Sequence, residues 1–507
     1  MLRGFVSLQQ DGLGNLEESP LAGTLEDMES GQRTVARNAF HLVLGQVVTT
    51  ALAILFSAAL GRTLGARDFG VYFLVSSFAT FAYVLVDWGQ QVYIIREVAC
   101  QPERGSLLLG TTLVLRAAGA ALVVVPSALA AWALGYDALT CWYAAVFIVV
   151  SLPFFLAQSY GMVFRARDRM GLDAWVSVAN KITLLGLALA ALVFGMGLPG
   201  VLAAQALGGF FALAIAHLLY RRMTMGPLRY SSHIAREVLI GGSAFFIFSA
   251  ASNIQPYIDV VILSKLAPVD VVGWYGAAKN ILGTLVAPAL ILGAASFPRL
   301  SRTANGGQFK AEVRAALRPM LWLGALAATG AFLFADDVIA IVYGQQHFGP
   351  SGIILKVYAP VFFLLFMNVL LGNALFALGR AKAFSVAKWA SVVVSTVLEL
   401  MLIPIFQERM GNGGIGVVSA FFASEFVVFG GAIYLLRPEG LGLDISVDMA
   451  RALGSAALTL LVFWWLPPLP FLVGVPLCVT VFLLCSLGLG LVRRADVQLF
   501  RALLRKE

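Results

Sequence analysis

Long apolar runs of about twenty residues, separated by short loops, extend along almost the whole chain. A helix of this length crosses the hydrocarbon core of a bilayer. Hydrophobic residues make up 60% of the chain and charged residues only 12%, whereas about 25% of the residues in soluble domains are charged. The sequence therefore predicts an all-α polytopic membrane protein with about fourteen transmembrane helices. The predicted spans are 39–60, 70–94, 107–133, 138–161, 172–195, 199–220, 237–260, 272–297, 315–334, 352–378, 383–405, 414–436, 449–466 and 470–492.

Lysine and arginine are distributed unevenly between the two sets of alternate loops. Of the 35 residues of these two types, 27 lie in the set that includes both tails, and the other set holds only Arg62, Arg67, Lys265 and Arg409. Because cytoplasmic loops are enriched in Lys and Arg, both termini are predicted to be cytoplasmic. The net charge of +8 then fits the anionic lipids of the cytoplasmic leaflet, and we expect no binding of nucleic acid.

The chain repeats itself after a shift of 203 residues. The shift places Arg62 on Lys265, Gly70 on Gly273 and Tyr72 on Tyr275. Spans one to six and seven to twelve then form two pseudo-symmetric six-helix bundles, followed by two C-terminal helices, with a cavity between the bundles as the natural substrate site. The predicted units are a disordered cytoplasmic tail at 1–36, the two bundles at 37–222 and 236–437, two additional helices at 446–492, and a basic amphipathic tail at 493–507.

Two further features concern the ends and one loop of the chain. The tail before Arg37 has no signal-peptide pattern, and Met28 is an alternative start. The segment Phe309–Met320 places its apolar residues on one helical face, which predicts an interfacial helix. The four cysteines have neither disulfide nor metal-ligand spacing and are expected to be apolar packing residues.

The stretch from Ala59 to Ala99 closes one span, turns through a glycine-bearing corner and crosses the membrane again past a single acid, Asp87. Seven segments of this hairpin and of the later chain form a recognisable set: Gly61-Arg62-Thr63-Leu64-Gly65, Phe69-Gly70-Val71-Tyr72, Asp87-Trp88-Gly89, Arg96-Glu97-Val98-Ala99, Asp259 with Val272-Gly273-Trp274-Tyr275-Gly276-Ala277-Ala278, Phe297-Pro298-Arg299-Leu300-Ser301 and Leu378-Gly379-Arg380-Ala381-Lys382. With these segments the chain resembles the bacterial polysaccharide flippases (the O-antigen and exopolysaccharide transporters) of the multidrug, oligosaccharidyl-lipid and polysaccharide exporter superfamily, and the hairpin resembles their first hairpin. The resemblance covers roughly residues 37–440.

The resemblance implies a transporter of the cytoplasmic membrane that takes part in the biosynthesis of cell-surface polysaccharide. Such a protein moves a polyprenyl-(pyro)phosphate-linked oligosaccharide across the bilayer by alternating access. Its partners are that lipid-linked sugar, the membrane lipids, and, as candidates, the glycosyltransferases, polymerase and chain-length regulators of the same pathway.

Polar residues inside the predicted spans are the candidate site residues, because a charge at the bilayer centre costs about 2.5–3.5 kcal/mol and normally faces a partner or a wet cavity. Cations there attract a pyrophosphate more strongly than they do in water, and amides suit sugar hydroxyls. The candidate substrate-binding residues are Arg116, Lys181, Lys279, Asn280, Asn253 and Gln255. The candidate ion-coupling residues are Asp87, Asp259, Glu399 and Glu425.

Other placements remain open for several of these residues. Arg116 and Lys181 can snorkel to the interface if their helices begin later than predicted. Asp259 can pair with Lys265 at the rim, and Glu399 can cap the outer end of its helix.

No catalytic or cofactor motif is recognisable: there is no GxxxxGK[ST], no HExxH and no Cys/His cluster. We therefore expect neither enzymatic activity nor a cofactor or metal. A multidrug cation exporter of the same superfamily is the main alternative function. A membrane polysaccharide polymerase or ligase is less favoured, since the longest outer segment, 335–351, is short.

Overall fold

The computed structural model describes the backbone of residues 20–492, apart from residues 224, 305 and 441–442. It describes the side chains of residues 44–492, apart from residues 224, 244, 247–253, 305 and 441–444. Residues 1–19, the predicted tail 493–507 and the side chain of Asn253 therefore lie outside the described residues. All regular structure in the described part is helical. The helices are α1 (Pro20–Asp87), α2 (Gln90–Cys100), α3 (Gly105–Ala133), α4 (Ala138–Ala166), α5 (Met170–Val193), α6 (Gly197–Arg221), α7 (Ser232–Leu266), α8 (Val269–Thr303), α9 (Phe309–Val342), α10 (Gln345–Phe348), α11 (Ser351–Ala377), α12 (Ala381–Met410), α13 (Gly414–Leu436), α14 (Leu443–Trp465) and α15 (Phe471–Gly488), with short 3₁₀ turns at Pro102–Arg104 and Arg437–Glu439.

The predicted membrane spans coincide with these helices. Twelve helices within the described residues are long and apolar enough to cross a bilayer. The first, Leu44–Asp87, contains most of each of the first two predicted spans, and α7 contains the predicted span 237–260. The prediction of an all-α, multi-pass membrane protein is confirmed.

Two local expectations differ from the structure. Residues 20–36, predicted to belong to a disordered tail, form the start of α1; no proline follows Pro20 in this stretch, and Pro is tolerated in the first helical turn. Phe309–Met320 is not a separate interfacial helix. It opens α9, and Phe309, Val313, Leu317 and Met320 are buried in a core within the protein.

Helices of each half pack mainly on one another. In the first half α1 packs on α4 and α5, α3 on α4, and α6 on both α4 and α5; in the second half α11 packs on α8, α9 and α13, and α12 packs on α7 and α13. The helices α14 and α15 pack on α9 and on each other. The halves meet where α1 contacts α7 and α8 and where α2 contacts α7, and a buried apolar cluster joins them there.

The backbone breaks at equivalent places in the two halves. Within α1, Gly65 has φ 76° and ψ 178°, a conformation that glycine adopts at little cost because it has no Cβ. The shift of 203 residues places Gly65 on Pro268, which separates α7 from α8. The helix break therefore falls at the same position of each sequence repeat.

The closest approach between the halves follows the same shift. A Cβ atom added to Gly70 would overlap the carbonyl oxygen of Val269, and one added to Gly273 would overlap the carbonyl oxygen of Ala66. The shift that pairs Gly70 with Gly273 also pairs Ala66 with Val269. Two copies of one backbone contact therefore meet across a pseudo-two-fold axis.

Side chains beside this contact join the halves on the same face. The Arg62 guanidinium donates to the carbonyl oxygens of Ile341 and Val342 at the end of α9. Lys265, its repeat partner, lies 3.1 Å from the ring centroid of Tyr136 in the α3–α4 connection. We call this surface, formed by Arg62, Tyr136, Lys265 and the two glycine contacts, the closed face.

Candidate functional site

A polar cavity lies between the two halves. It has a volume of about 410 Å³ and is bounded by α1, α5 and α8. We call it the first compartment; its polar lining consists of Gln46, Thr49, Thr50, Ser57, Ser76, Lys181, Asn280 and Thr284. An adjoining pocket of about 230 Å³ shares Gln46, Thr49 and Lys181 with it and continues to Phe154 and Asp173.

Lys181 is the cation of this compartment. Its side chain lines both the cavity and the adjoining pocket, and among the described residues it has no hydrogen-bond or ion-pair partner. The nearby acid Asp173 lies 3.4 Å from Arg165, which neutralises it. An uncompensated ammonium in a polar cavity within the membrane attracts anions.

Asn280 stands in the same compartment, so the structure brings together two of the predicted substrate-binding residues. Its amide donates to the Ser57 hydroxyl over 2.8 Å, and Ser57 lies 2.7 Å from the Tyr343 hydroxyl. These contacts join α8 to α1 and to the end of α9. Sequence reasoning missed Ser57 and Gln46, although polar residues at 46, 49, 50 and 57 mark one face of an otherwise apolar span.

Arg116 is placed away from the first compartment, in a buried ion pair. Only 1% of its side chain is exposed, and its guanidinium pairs with the carboxylate of Asp87. It also donates to the Phe155 carbonyl and the Ser159 hydroxyl, each over 3.1 Å. Its charge is therefore satisfied locally, while Asp87, with 24% of its side chain exposed, reaches a second pocket of about 350 Å³.

The backbone turns directly after Asp87. Trp88 and Gly89 both have positive φ values, 46° and 75°, and separate α1 from α2. The predicted span 70–94 is thus broken near its end. The break places the Trp88 ring in a stack on Phe246 of α7, with the centroids 4.5 Å apart.

Lys279 points into the second half, although its neighbour Asn280 faces the first compartment. Its ammonium donates to the Pro256 carbonyl of α7 over 2.5 Å and interacts electrostatically with Asp259 and Glu399. These two carboxyl groups, from α7 and α12, are almost fully buried and lie within hydrogen-bonding reach of each other. Two carboxylates this close repel each other when both are ionised, and Lys279 is the basic group beside them.

Two other candidates, Glu425 and Gln255, have different surroundings. Glu425 is buried and accepts a hydrogen bond from Asn368 over 2.6 Å, with Lys388 at 3.4 Å, so it is separately compensated. The amide nitrogen of Gln255 is buried without a partner among the described residues.

The fold is that of a class of membrane transporters built from two helical halves. It is similar to the structure "Lipid II flippase MurJ, inward closed conformation", with a TM-score of 0.64 at 12% identity over 89% of this chain and 97% of that one. It is also similar to an inward-facing multidrug resistance MATE family transporter, with a TM-score of 0.61 at 14% identity over 77% and 94% of the two chains.

The family model described as "Polysaccharide biosynthesis protein" matches residues 35–304, and the chain belongs to this family. It is 26% identical over 377 residues to the "Putative O-antigen transporter" of Shigella flexneri, covering 71% of this chain and 89% of that one. It is 21% identical over 379 residues to the "Probable low-salt glycan biosynthesis flippase Agl15" of Haloferax volcanii, covering 73% and 78%.

Proposed function

We propose that the protein is a flippase that carries a polyprenyl-(pyro)phosphate-linked oligosaccharide across the cytoplasmic membrane. The observation that carries the proposal is Lys181, an unpaired cation in the polar compartment between the halves. Its charge suits a phosphate group, and the names of the O-antigen and glycan-biosynthesis relatives point to the same class of substrate. The lipid chain stays in the bilayer while the headgroup crosses.

The transport step is alternating access between two halves, for which we propose the bounds 37–222 and 236–437, with 446–492 as additional helices. The repeated contacts at the closed face support this division, because they are the ones that must break when that face opens. The distribution of Lys and Arg supports cytoplasmic termini.

Replacement of Lys181 with glutamine is expected to lower export of the lipid-linked oligosaccharide by about tenfold or more, since a hydrogen bond to a charged group contributes about 1.5–3 kcal/mol. Display of surface polysaccharide in a deletion strain that carries the variant measures the effect. Lys382→Gln changes an exposed lysine at the start of α12 and should leave display unchanged. Equal display by both variants would remove Lys181 from the site.

A multidrug cation exporter remains the second candidate, favoured by the MATE-type fold. The charges of the cavity favour the first candidate. The acids that line the two neighbouring pockets, Asp173 and Asp87, are paired with Arg165 and Arg116, which leaves Lys181 uncompensated. A cationic dye that displaces an anionic lipid-linked sugar from the purified protein would support the exporter. Polymerised product made by the protein alone would instead indicate an enzyme.

Ion coupling is assigned to Asp259 and Glu399. Of the predicted acids, Asp87 and Glu425 have direct basic partners, whereas Asp259 and Glu399 face each other, and one Glu399 oxygen is buried without a hydrogen bond. Lys279 and Asn280 are neighbours on α8, so a shift of this helix that follows ion release also moves a wall of the first compartment.

Glu399→Gln is therefore expected to abolish the dependence of transport on an imposed ion gradient, because the carboxyl pair can no longer exchange a proton or cation. Uptake of a lipid-linked oligosaccharide into proteoliposomes, with either a proton or a sodium gradient imposed, measures the dependence and identifies the ion. Glu408→Gln, an exposed acid on the same helix, serves as the control. Gradient-driven transport by Glu399→Gln at the normal rate would exclude this site.

A further inference from the structure

The second pocket, which we call the second compartment, differs in chemistry from the first. It has a volume of about 350 Å³ and lies between α1, α2, α4, α6 and α7. Its polar lining has amides and hydroxyls from several helices and one acid, Asp87. No lysine or arginine lines it among the described residues.

Three glutamines from three helices converge on this compartment: Gln91 from α2, Gln158 from α4 and Gln205 from α6. None has a hydrogen-bond partner in the part of the chain that the structure describes. Ser151 lines the same pocket, and its hydroxyl is buried and unpaired there. An amide offers both donors and an acceptor, and the three glutamines are exposed or partly exposed at the protein surface, whereas the buried Ser151 hydroxyl left unpaired costs about 1–3 kcal/mol. These side chains are therefore placed to bond a ligand.

Aromatic rings form the rest of the wall. Tyr83 and Phe155 pack with their centroids 4.3 Å apart, and Phe246 stacks on Trp88 beside them. Phe154 also lines the compartment. Flat apolar surfaces next to amides match a sugar ring, which presents C–H groups on its faces and hydroxyls around its edge.

Asp87 fits the same ligand. The Arg116 guanidinium binds one carboxylate oxygen of Asp87, so the ion pair as a whole carries no net charge. The other oxygen has no partner among the described residues, and it can accept hydrogen bonds from sugar hydroxyls. Arg116 is then a positioning residue for Asp87 and does not contact the ligand itself.

The two compartments are neighbours along α1. Tyr72 and Ser76 of α1 line the first, and Thr80, Tyr83 and Asp87, further along the same helical face, line the second. Phe154 lies both in the second compartment and in the pocket beside Lys181. A ligand with an anionic end at Lys181 can therefore extend a neutral polar chain along this face.

We propose that the second compartment is the glycan subsite: Gln158, Gln205 and Asp87 bind the uncharged sugar residues next to the phosphate that Lys181 attracts. This inference rests on the proposed flippase function. It assigns selection of the glycan to the first half of the chain, on α1, α4 and α6.

Binding of two lipids to the purified full-length protein tests the subsite. The probes are a bare polyprenyl pyrophosphate and the polyprenyl-pyrophosphate-linked oligosaccharide extracted from the source cells. We expect the native protein to bind the oligosaccharide lipid more tightly. Gln158→Ala and Gln205→Ala should each weaken binding of that lipid by about fivefold and leave binding of the bare lipid unchanged, because each removes neutral hydrogen bonds.

A matched control and a second measurement make the result decisive. Gln308→Ala, at an exposed position before α9, should bind both lipids normally. In a chain without native cysteines, labelling of Gln158→Cys should be slowed by the oligosaccharide lipid and not by the bare one. Equal losses for both lipids, or no loss for either, would overturn the subsite, whereas failure of the native protein to bind either lipid would overturn the flippase function.

Discussion

Asp87→Asn is expected to destabilise the protein by about 3–5 kcal/mol, the usual cost of removing one partner from a buried ion pair. The side chain of Arg116 is 1% exposed, so its charge cannot reach water when the carboxylate is lost. The contacts of the guanidinium with the Phe155 carbonyl and Ser159 are neutral and cannot replace that charge. Thermal unfolding in detergent measures the change.

A second substitution distinguishes an uncompensated charge from general damage. Arg116→Met in the Asp87→Asn background removes the buried charge and should recover most of the lost stability, because a buried pair replaced by uncharged groups is often close to neutral. Glu103→Gln, an exposed acid in the same half, should have no effect. A double variant no more stable than Asp87→Asn would contradict this account of Arg116.

Gly70→Ala and Gly273→Ala are each expected to impair transport strongly by opposing closure of the closed face. Either Cβ would overlap a carbonyl oxygen of the opposite half, and overpacking of this kind costs about 1–3 kcal/mol. A penalty of that size lowers the equilibrium constant for closure by about 5- to 150-fold. The two variants should have similar effects, because the contacts are copies of each other.

Cys141 reports directly on the state of this face. It lies beside Tyr136 near the start of α4, with its sulfur 3.7 Å from the Tyr136 carbonyl oxygen. With the other three cysteines replaced by serine, both glycine variants should accelerate labelling of Cys141 by a thiol reagent. Gly283→Ala, in a part of α8 where a Cβ meets open space, should label at the native rate. Unchanged labelling in Gly70→Ala would show that the contact does not hold the face closed.

The fold was largely predictable because a membrane helix is specified by local composition. Apolar length identified the spans without any knowledge of their neighbours. The errors arose where tertiary packing decides the outcome. The segment Phe309–Met320 has an apolar face that suits a bilayer surface or a protein core equally well, and the structure buries it in the core.

Candidate site residues were harder to place, since sequence does not fix the rotation of a helix within a bundle. Lys279 and Asn280 are consecutive residues, about 100° apart around α8, and only Asn280 lines the first compartment. The Arg116–Asp87 pair joins two helices across 29 positions of sequence, and no local pattern indicates it. Lys181 lines the first compartment, whereas the sequence alone also allowed it to snorkel to the interface; its role in substrate binding stays a prediction.

The paired contacts of Gly70 and Gly273 indicate how the two halves of the chain originated. Two separate polypeptides, each half as long and identical to the other, would form this same junction around a true two-fold axis. Both would need a residue without a side chain at the one position where their backbones touch. The present molecule retains that requirement in duplicate, as expected for a gene that arose by fusion of two copies of a homodimer-forming ancestor.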